Sequence, residues 1–214
     1  MSEAGFCVIL PFMEPNTRRT LVNTLWFAVC CAVGLAADLG SKSWIFERLG
    51  HPPRDRIVII PNWFSLTTAL NEGALFSIGQ GFALGFAALS FVAMAGIGYW
   101  LWIRGGIADR RMAIILGFIL AGITGNLYDR LGLPGLKWSF PPERAGQHVF
   151  AVRDWLLFRI EHEVIVFEPI LQREIPKQEI LFDWPVFNLA DVMLVVGAAS
   201  LFLLSFWPEP KKPE

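Results

Sequence analysis

Four apolar runs divide the chain. Each of the first three carries few charges and is long enough to cross a bilayer core, which takes about 20 helical residues. These runs cover residues 21–38, 82–103 and 112–131, and a fourth covers residues 186–207. The pattern predicts a mainly α membrane protein in which residues 1–214 form a single membrane domain with four transmembrane helices.

The two long segments between the runs predict structure outside the membrane. Residues 50–80 contain two β-rich stretches, 56–60 and 64–70, and each is flanked by Gly or Pro, which is typical of short strands. Residues 132–184 contain further strand-like stretches and indicate an inserted hairpin or loop. We therefore expect a small external β-sheet, or cradle, that either lies on the bilayer surface or forms a platform for packing.

The composition supports a membrane protein and argues against several other classes of protein. The chain is 54% apolar and 17% charged, whereas soluble domains carry roughly 25% charged residues. A net charge of −1 gives no indication of a nucleic-acid partner. The three cysteines lie in the N-terminal segment or the first apolar run, so a disulfide framework is not expected.

The short apolar stretch at residues 5–13 lacks the charged start of a signal peptide, and we expect the first helix to be an uncleaved anchor.

Basic residues in the short segments predict the orientation. Short cytoplasmic segments of membrane proteins are enriched in Lys and Arg. The pattern therefore places both termini in the cytoplasm and the two long loops outside. The basic residues concerned are Arg18, Arg19, Arg104, Arg110, Arg111, Lys211 and Lys212.

Ionisable residues at the ends of the first and fourth runs are costly near hydrocarbon and usually mark function. Asp38 and Lys42 are four residues apart, share a helix face and can pair. An interfacial pair with a snorkelling lysine is the plainer interpretation. Asn188 and Asp191 lie at the start of the fourth run, where Asp191 is expected to face a bundle interior or an aqueous cavity.

The third run ends in a polar helix face. Gly122, Asn126, Asp129 and Arg130 recur at spacings of three and four residues, which places them on one side of a helix. The small residue allows a neighbouring helix to approach closely. The polar side chains then need partners inside the bundle, although Asp129 and Arg130 could instead pair with each other at the membrane interface.

Five motifs in a fixed order carry a resemblance to a known family. Together they resemble lipoprotein signal peptidase, the bacterial signal peptidase II, from about residue 21 to residue 206. The motifs are Asp38-x-x-Ser41-Lys42, Asn71-x-Gly73-Ala74-x-Phe76, Gly122-x-x-Gly125-Asn126-x-x-Asp129-Arg130, Val152-x-Asp154 and Phe187-Asn188-x-Ala190-Asp191.

This resemblance implies an aspartyl endopeptidase of the bacterial inner membrane with its active site near the periplasmic face. Such enzymes cut prolipoproteins just before a Cys that carries a diacylglyceryl group. The two catalytic carboxylates map onto Asp154 and Asp191. The implied partners are the prolipoprotein and membrane lipids, the implied state is a monomer, and neither a metal nor another cofactor is implied.

The remaining motif residues acquire supporting roles by the same resemblance. Asn71, Asn126, Arg130 and Asn188 match residues that shape the site and hold the substrate backbone. Asp38 and Lys42 match a pair that supports the fold or the site, and Asp129 is the main rival of Asp154 for the second catalytic carboxylate.

Two departures from the family pattern bear on these assignments. Leu39 occupies a position where the family usually has Gln, which weakens any role for that position. Asp154 and Asp191 are 37 residues apart, about twice the separation usual in the family. We attribute the excess to an insertion within residues 158–182, and the Asp154 assignment depends on that alignment.

Peptide hydrolysis by two carboxylates requires one general base and one general acid. Two like charges a few ångströms apart do not both ionise cheaply, so such a pair shares one proton. A second chemistry, metal binding at His162 between two glutamates, is disfavoured because three successive side chains of a strand point in alternate directions. A solvated strand edge is the expected state of that segment.

Two other function classes remain to be compared with the peptidase. A proton or ion transporter could line a path with its buried carboxylates, but the polar residues cluster near one side of the membrane and there is no internal repeat of the kind transporters often show. A membrane scaffold without catalysis would dock partners through the external loops. It predicts that Asp191→Asn leaves activity in cells intact, whereas a peptidase would accumulate uncut precursors.

Overall fold

The computed structural model describes residues 14–52, 56–73, 79, 81–168 and 172–206. Ala74 and Phe76 of the second motif lie outside the described residues. The same holds for the N-terminal apolar stretch, with Cys7, and for the two lysines near the C-terminus.

Four α-helices carry the apolar runs. They are α1 (Pro15–Leu49), α2 (Ala83–Gly98), α3 (Arg110–Arg130) and α4 (Leu189–Ser205). A π-helical turn at Tyr99–Ile103 prolongs α2. By length and composition, α1, the prolonged α2 and α3 are each able to cross a membrane, whereas α4 is a shorter apolar helix.

The fourth helix begins later than its apolar run predicts. The run starts at residue 186, but α4 starts at Leu189 and has 17 residues. The cause is a short antiparallel bridge between Phe187 and Leu156, which holds the chain extended up to Asn188. A helix of this length measures about 25 Å at a rise of about 1.5 Å per residue.

The strands form one antiparallel sheet in the order β1-β2-β3-β4. Its members are β1 (Ile57–Ile60), β2 (Phe64–Asn71), β3 (Val152–Glu168) and β4 (Arg173–Asp183). The first part of β3 pairs with β2, and β3 then continues beyond β2 and pairs with β4. The inserted hairpin is therefore an extension of the external sheet.

The chain divides into two compact units. The helical unit comprises residues up to 38, residues 87–127 and residues from 189 onward. The sheet unit comprises residues 39–86 and 128–188.

Small residues allow close helix packing in the helical unit. A Cβ added at Gly122 would lie 2.6 Å from the Ala190 carbonyl oxygen, and one at Gly117 would lie 2.7 Å from the Phe27 carbonyl oxygen. Helices in a membrane associate through such close approach, since lipid supplies no hydrophobic driving force between them. A buried apolar cluster completes this packing and consists of Phe27, Leu101, Ile107, Ala113 and Leu116.

In the sheet unit, an ion pair fixes the loop that precedes β3. The Arg144 guanidinium donates two hydrogen bonds to the Glu72 carboxylate, at 2.9 and 2.7 Å. The same guanidinium stacks over the Trp138 ring, 4.1 Å from its centroid. The hydrogen bonds from Arg144 hold the pKa of Glu72 below its usual value, so the ionised carboxylate stabilises the folded loop.

We expect Glu72→Gln to lower the free energy of unfolding near neutral pH by about 0.5–1 kcal/mol, the range of partly exposed ion pairs. The depressed pKa means that the native carboxylate contributes fully above its unfolded-state pKa and loses this contribution as pH falls through its folded-state pKa. The difference in melting temperature between wild type and variant, measured in detergent, should therefore shrink towards zero in acid. Glu143→Gln, at an exposed position in the same loop, is the control, and an equal destabilisation at both pH values would contradict the prediction.

Candidate active site

Asp154 is a buried carboxylate on β3. It lies opposite Ala69 of β2 in the register of the sheet, and 2% of it is exposed. Asn188 donates a hydrogen bond from Nδ2 to Asp154 Oδ1 at 2.6 Å. A carboxylate buried in this way is costly unless it accepts hydrogen bonds, and the Asn188 amide supplies one.

The position of Asn188 follows from the bridge that delays α4. Leu156 N donates to Phe187 O at 2.8 Å, and Phe187 N donates to Leu156 O at 3.0 Å. These bonds hold the segment before α4 alongside β3, next to the strand position of Asp154. Asn188 is fully buried, so its amide is fixed by the same backbone contact.

Asp191 lies in the first turn of α4. Asn126 of α3 donates from Nδ2 to Asp191 Oδ1 at 2.9 Å. Asn126 is buried and Asp191 is half-buried. A carboxylate in the first turn also interacts favourably with the positive end of the helix dipole. The Asp191 side chain is therefore bonded to the neighbouring helix α3, and it lies at the favourable end of the dipole of its own helix.

Asp38 positions the start of α4. Its Oδ1 accepts a hydrogen bond from the backbone N–H of Ala190 at 2.9 Å, which satisfies one of the N–H groups left open at a helix N-terminus. The helices approach closely here, because a Cβ added at Gly125 would collide with the Asp38 carboxylate. Asp38 is fully buried and supports the turn that carries Asp191.

Asp129 is the centre of a buried ion cluster in the sheet unit. Lys42 Nζ lies 3.0 Å from Asp129 Oδ2. Arg153 donates from Nε to Asp129 Oδ1 at 2.8 Å and from its backbone N–H to Oδ2 at 3.1 Å. The Lys42 and Asp129 side chains are fully buried, and that of Arg153 is 5% exposed. The pairing of Lys42 with Asp38 stays a prediction.

Arg130 holds the turn of the second motif. Its Nη2 donates to the Gly73 carbonyl oxygen at 2.9 Å, and its guanidinium lies 5.4 Å from the Phe86 ring centroid. Asn71 Oδ1 accepts the Gly73 backbone N–H at 2.9 Å, the local bond by which Asn favours turns. The structure therefore bonds Arg130 to the backbone of this turn.

The candidate residues are distributed over both units. Asp38, Asn126 and Asp191 belong to the helical unit, where hydrogen bonds link Asn126 to Asp191 and Asp38 to the residue before Asp191. The remaining candidates belong to the sheet unit. They are Lys42, Asn71, Asp129, Arg130, Asp154 and Asn188.

Sequence reasoning missed Arg153. Its side chain lies on the opposite face of β3 from Asp154, since successive strand residues alternate, and it is buried against Asp129. A signal was available. Two adjacent charges interrupt the apolar stretch from Ala151 to Leu157, and a strand buried on both faces must pair both of them.

Within the described ranges, no three His, Cys, Asp or Glu side chains gather into a group that could hold a metal ion. The two aspartates assigned as catalytic from the sequence are instead bonded to asparagine amides, each within its own unit. Such carboxylates are able to accept and donate protons in general acid–base chemistry.

Comparison with known proteins identifies the family. Residues 30–207 match the family model described as signal peptidase (SPase) II. The lipoprotein signal peptidase of Rhodopirellula baltica is 38% identical over 183 residues, which are 85% of this chain and 71% of that protein. The corresponding protein of Pseudomonas syringae pv. tomato is 31% identical over 195 residues, covering 89% of this chain and 90% of that one.

A solved structure described as a bacterial membrane enzyme shares the fold. It superposes with a TM-score of 0.61 over 88% of this chain and 94% of its own, at 19% identity. The expected mainly helical membrane fold with an antiparallel sheet is therefore confirmed, with three long apolar helices, a shorter fourth and four strands. From the match over residues 30–207 and the 38% identity to a relative, it follows that the chain belongs to the signal peptidase II family and is a multi-pass membrane protein and an aspartic endopeptidase with lipoprotein signal peptidase activity.

Proposed function

We propose that Asp154 and Asp191 are the catalytic pair and that they hydrolyse the peptide bond just before a diacylglyceryl-modified Cys of a prolipoprotein. The observation that carries this proposal is that each carboxylate accepts a hydrogen bond from a buried asparagine amide. An amide N–H holds a carboxylate in place without adding a charge, which suits a pair that must share one proton.

Chain continuity supports the pairing of these two residues. Asn188, which is bonded to Asp154, stands three residues before Asp191. Three residues span at most about 11 Å even when fully extended. The insertion within residues 158–182 lengthens the chain between the two aspartates, and the bridge between Phe187 and Leu156 brings the chain back beside β3.

Each asparagine amide holds one oxygen of the carboxyl that it bonds. Asn188 donates to Asp154 Oδ1 and Asn126 donates to Asp191 Oδ1. The two carboxyls share one proton, because two like charges a few ångströms apart do not both ionise cheaply. The ionised partner removes a proton from water, and the water oxygen attacks the scissile carbonyl carbon. The protonated partner then gives its proton to the leaving nitrogen as the C–N bond breaks.

The turn at Asn71 is proposed to bind the backbone of the extended peptide. Its conformation is set by the Asn71 side chain and by the bond from Arg130 to the Gly73 carbonyl. A turn fixed in advance loses little entropy when substrate binds. Asn71 and Arg130 are thus assigned to substrate positioning, and Asp38 and Lys42 to support of the site.

The proposed setting is a monomer in the bacterial inner membrane, with both termini in the cytoplasm and the site at the periplasmic face. The concentration of basic residues in the short segments supports this orientation, because short cytoplasmic segments are enriched in Lys and Arg. The substrate is a prolipoprotein with a diacylglyceryl-Cys, which reaches the enzyme within the lipid bilayer.

Asp154→Asn and Asp191→Asn should each abolish cleavage of a diacylglyceryl-modified precursor peptide, with a loss in kcat of at least about 100-fold, because either change removes one proton-transfer group. The measurement is single-turnover cleavage by purified enzyme in detergent, with melting temperature as the check on folding. Asp109→Asn, at a partly exposed aspartate outside the motifs, is the matched control. Wild-type rates in either catalytic variant would end the proposal.

Replacement of either asparagine should slow cleavage less than replacement of either aspartate, and the effect should appear mainly in kcat. We expect Asn126→Ala and Asn188→Ala each to lower kcat by roughly 10–100-fold, the equivalent of a hydrogen bond to a charged group, with KM nearly unchanged. Asn23→Ala is the control, since Asn23 is equally buried but donates to the carbonyl oxygens of Ile107 and Ala108. A similar fall in kcat for Asn23→Ala would show that the effect is general destabilisation.

Asp129 is proposed to be structural, because two buried cations already occupy its carboxylate. Asp129→Asn removes the charge that both Lys42 and Arg153 contact, and removal of one partner from a buried ion pair costs about 3–5 kcal/mol. The expected result is a large fall in melting temperature and yield, with activity lost in proportion to the folded fraction. A variant that is fully folded and thermally unchanged but inactive would instead make Asp129 a catalytic residue.

A further inference from the structure

One face of the sheet carries a row of aromatic rings across the base of the hairpin. Trp63 contacts Phe158, with ring centroids 6.0 Å apart. Phe158 contacts Phe182 at 6.3 Å, and Phe182 contacts Trp184 at 6.1 Å. We call these four residues the aromatic row. It joins the turn before β2, strands β3 and β4, and the chain that leads to α4.

The opposite face of the same strands carries ion pairs. Arg56 donates two hydrogen bonds of 2.7 Å to Glu161, and Arg159 donates two of 2.9 Å to Asp183. Arg159 and Asp183 are register partners, and each directly follows an aromatic residue of the row. Because Arg159 and Asp183 each alternate with an aromatic residue along their strands, the rings and these ion pairs lie on opposite sides of this part of the sheet.

The ionic face carries an ionised carboxylate. The hydrogen bonds from Arg56 hold the pKa of Glu161 below its usual value, so this carboxylate is ionised at neutral pH. The face that bears it also carries two guanidinium groups, and such a face is costly to place in lipid.

Three of the four rings in the aromatic row are exposed, although the rings contact one another. The exposed fractions are 52% for Trp63, 42% for Phe182 and 41% for Trp184. Trp184 stands only five residues before the start of α4, a distance of at most about 18 Å along the chain. The fourth apolar run predicts that α4, a shorter apolar helix of this multi-pass protein, enters the membrane. Its N-terminal flank then lies close to the membrane surface.

We propose that the aromatic row rests in the headgroup region of the bilayer and that the ionic face turns towards water. Tryptophan is enriched at the membrane–water interface because its ring is apolar and its N–H is polar. The occupant of this face is therefore the lipid surface that surrounds the chain's own helices. The inserted hairpin acquires a role in this arrangement, because β4 and its flank supply two of the four rings.

Paired spin labels on the two faces test this arrangement in the full-length enzyme. Cys7, Cys30 and Cys31 are replaced by Ala, and a nitroxide is attached to Cys in Phe182→Cys or in Asp183→Cys. These positions are adjacent in the chain and belong to opposite faces. The protein is placed in nanodiscs of phosphatidylethanolamine and phosphatidylglycerol, and the accessibility of each label to oxygen and to a water-soluble nickel complex is measured.

The expected result is that the label at position 182 is accessible to oxygen and protected from nickel, whereas the label at position 183 shows the reverse. A second pair, Trp63→Cys and Arg56→Cys, should show the same contrast if the first pair perturbs the hairpin. Cleavage of the lipidated precursor by the cysteine-free enzyme verifies that the background is folded.

Two outcomes would overturn the proposal. Equal nickel accessibility at both members of each pair would place the aromatic row in water. If the label at position 182 is protected from nickel only after the lipidated precursor is added, the acyl chains of the substrate, and not the bilayer, cover the aromatic row. Neither outcome depends on which aspartates are catalytic, because the labels report on the sheet alone.

Discussion

Burial of charge is the constraint on which the sheet unit depends. Asp129 is buried away from water, and Lys42 and Arg153 both contact its carboxylate. These three residues come from the end of α1, the end of α3 and the start of β3. Since a lone buried charge costs far more than a paired one, the cluster holds these three elements together and locates the strand that carries Asp154.

Uncharged amides hold the two aspartates that we assign to catalysis. Asn188 and Asn126 each donate to one carboxylate oxygen, whereas Asp129 is bound by cations. A cation beside a carboxylate favours its charged form, which suits a structural anchor, while a neutral amide permits the exchange of protons that general acid–base chemistry requires.

The sheet combines support of the site with an amphipathic surface. Its inner part, the start of β3, is buried and holds Asp154 and Arg153 on opposite faces. Its outer part separates aromatic residues from ion pairs. The insertion between Asp154 and Asp191 thus prolongs one strand of the sheet and adds another, and the bridge at Phe187 returns the chain to β3 before α4 begins.

The membrane helices, the external strands and the motif residues followed from the sequence, because hydrophobic periodicity and run length are local properties. The local pattern did not show that α4 begins only at Leu189, since the late start comes from a bridge between Phe187 and Leu156, which is distant in the sequence. Nor did it show that Arg153 neutralises Asp129 or that Asp38 caps α4. Alternation along a strand places a side chain on a face, but only tertiary packing decides which group it meets there. The partners of buried charges therefore belong to the three-dimensional structure, because their pairing is determined by the cost of leaving any of them unpaired in the interior.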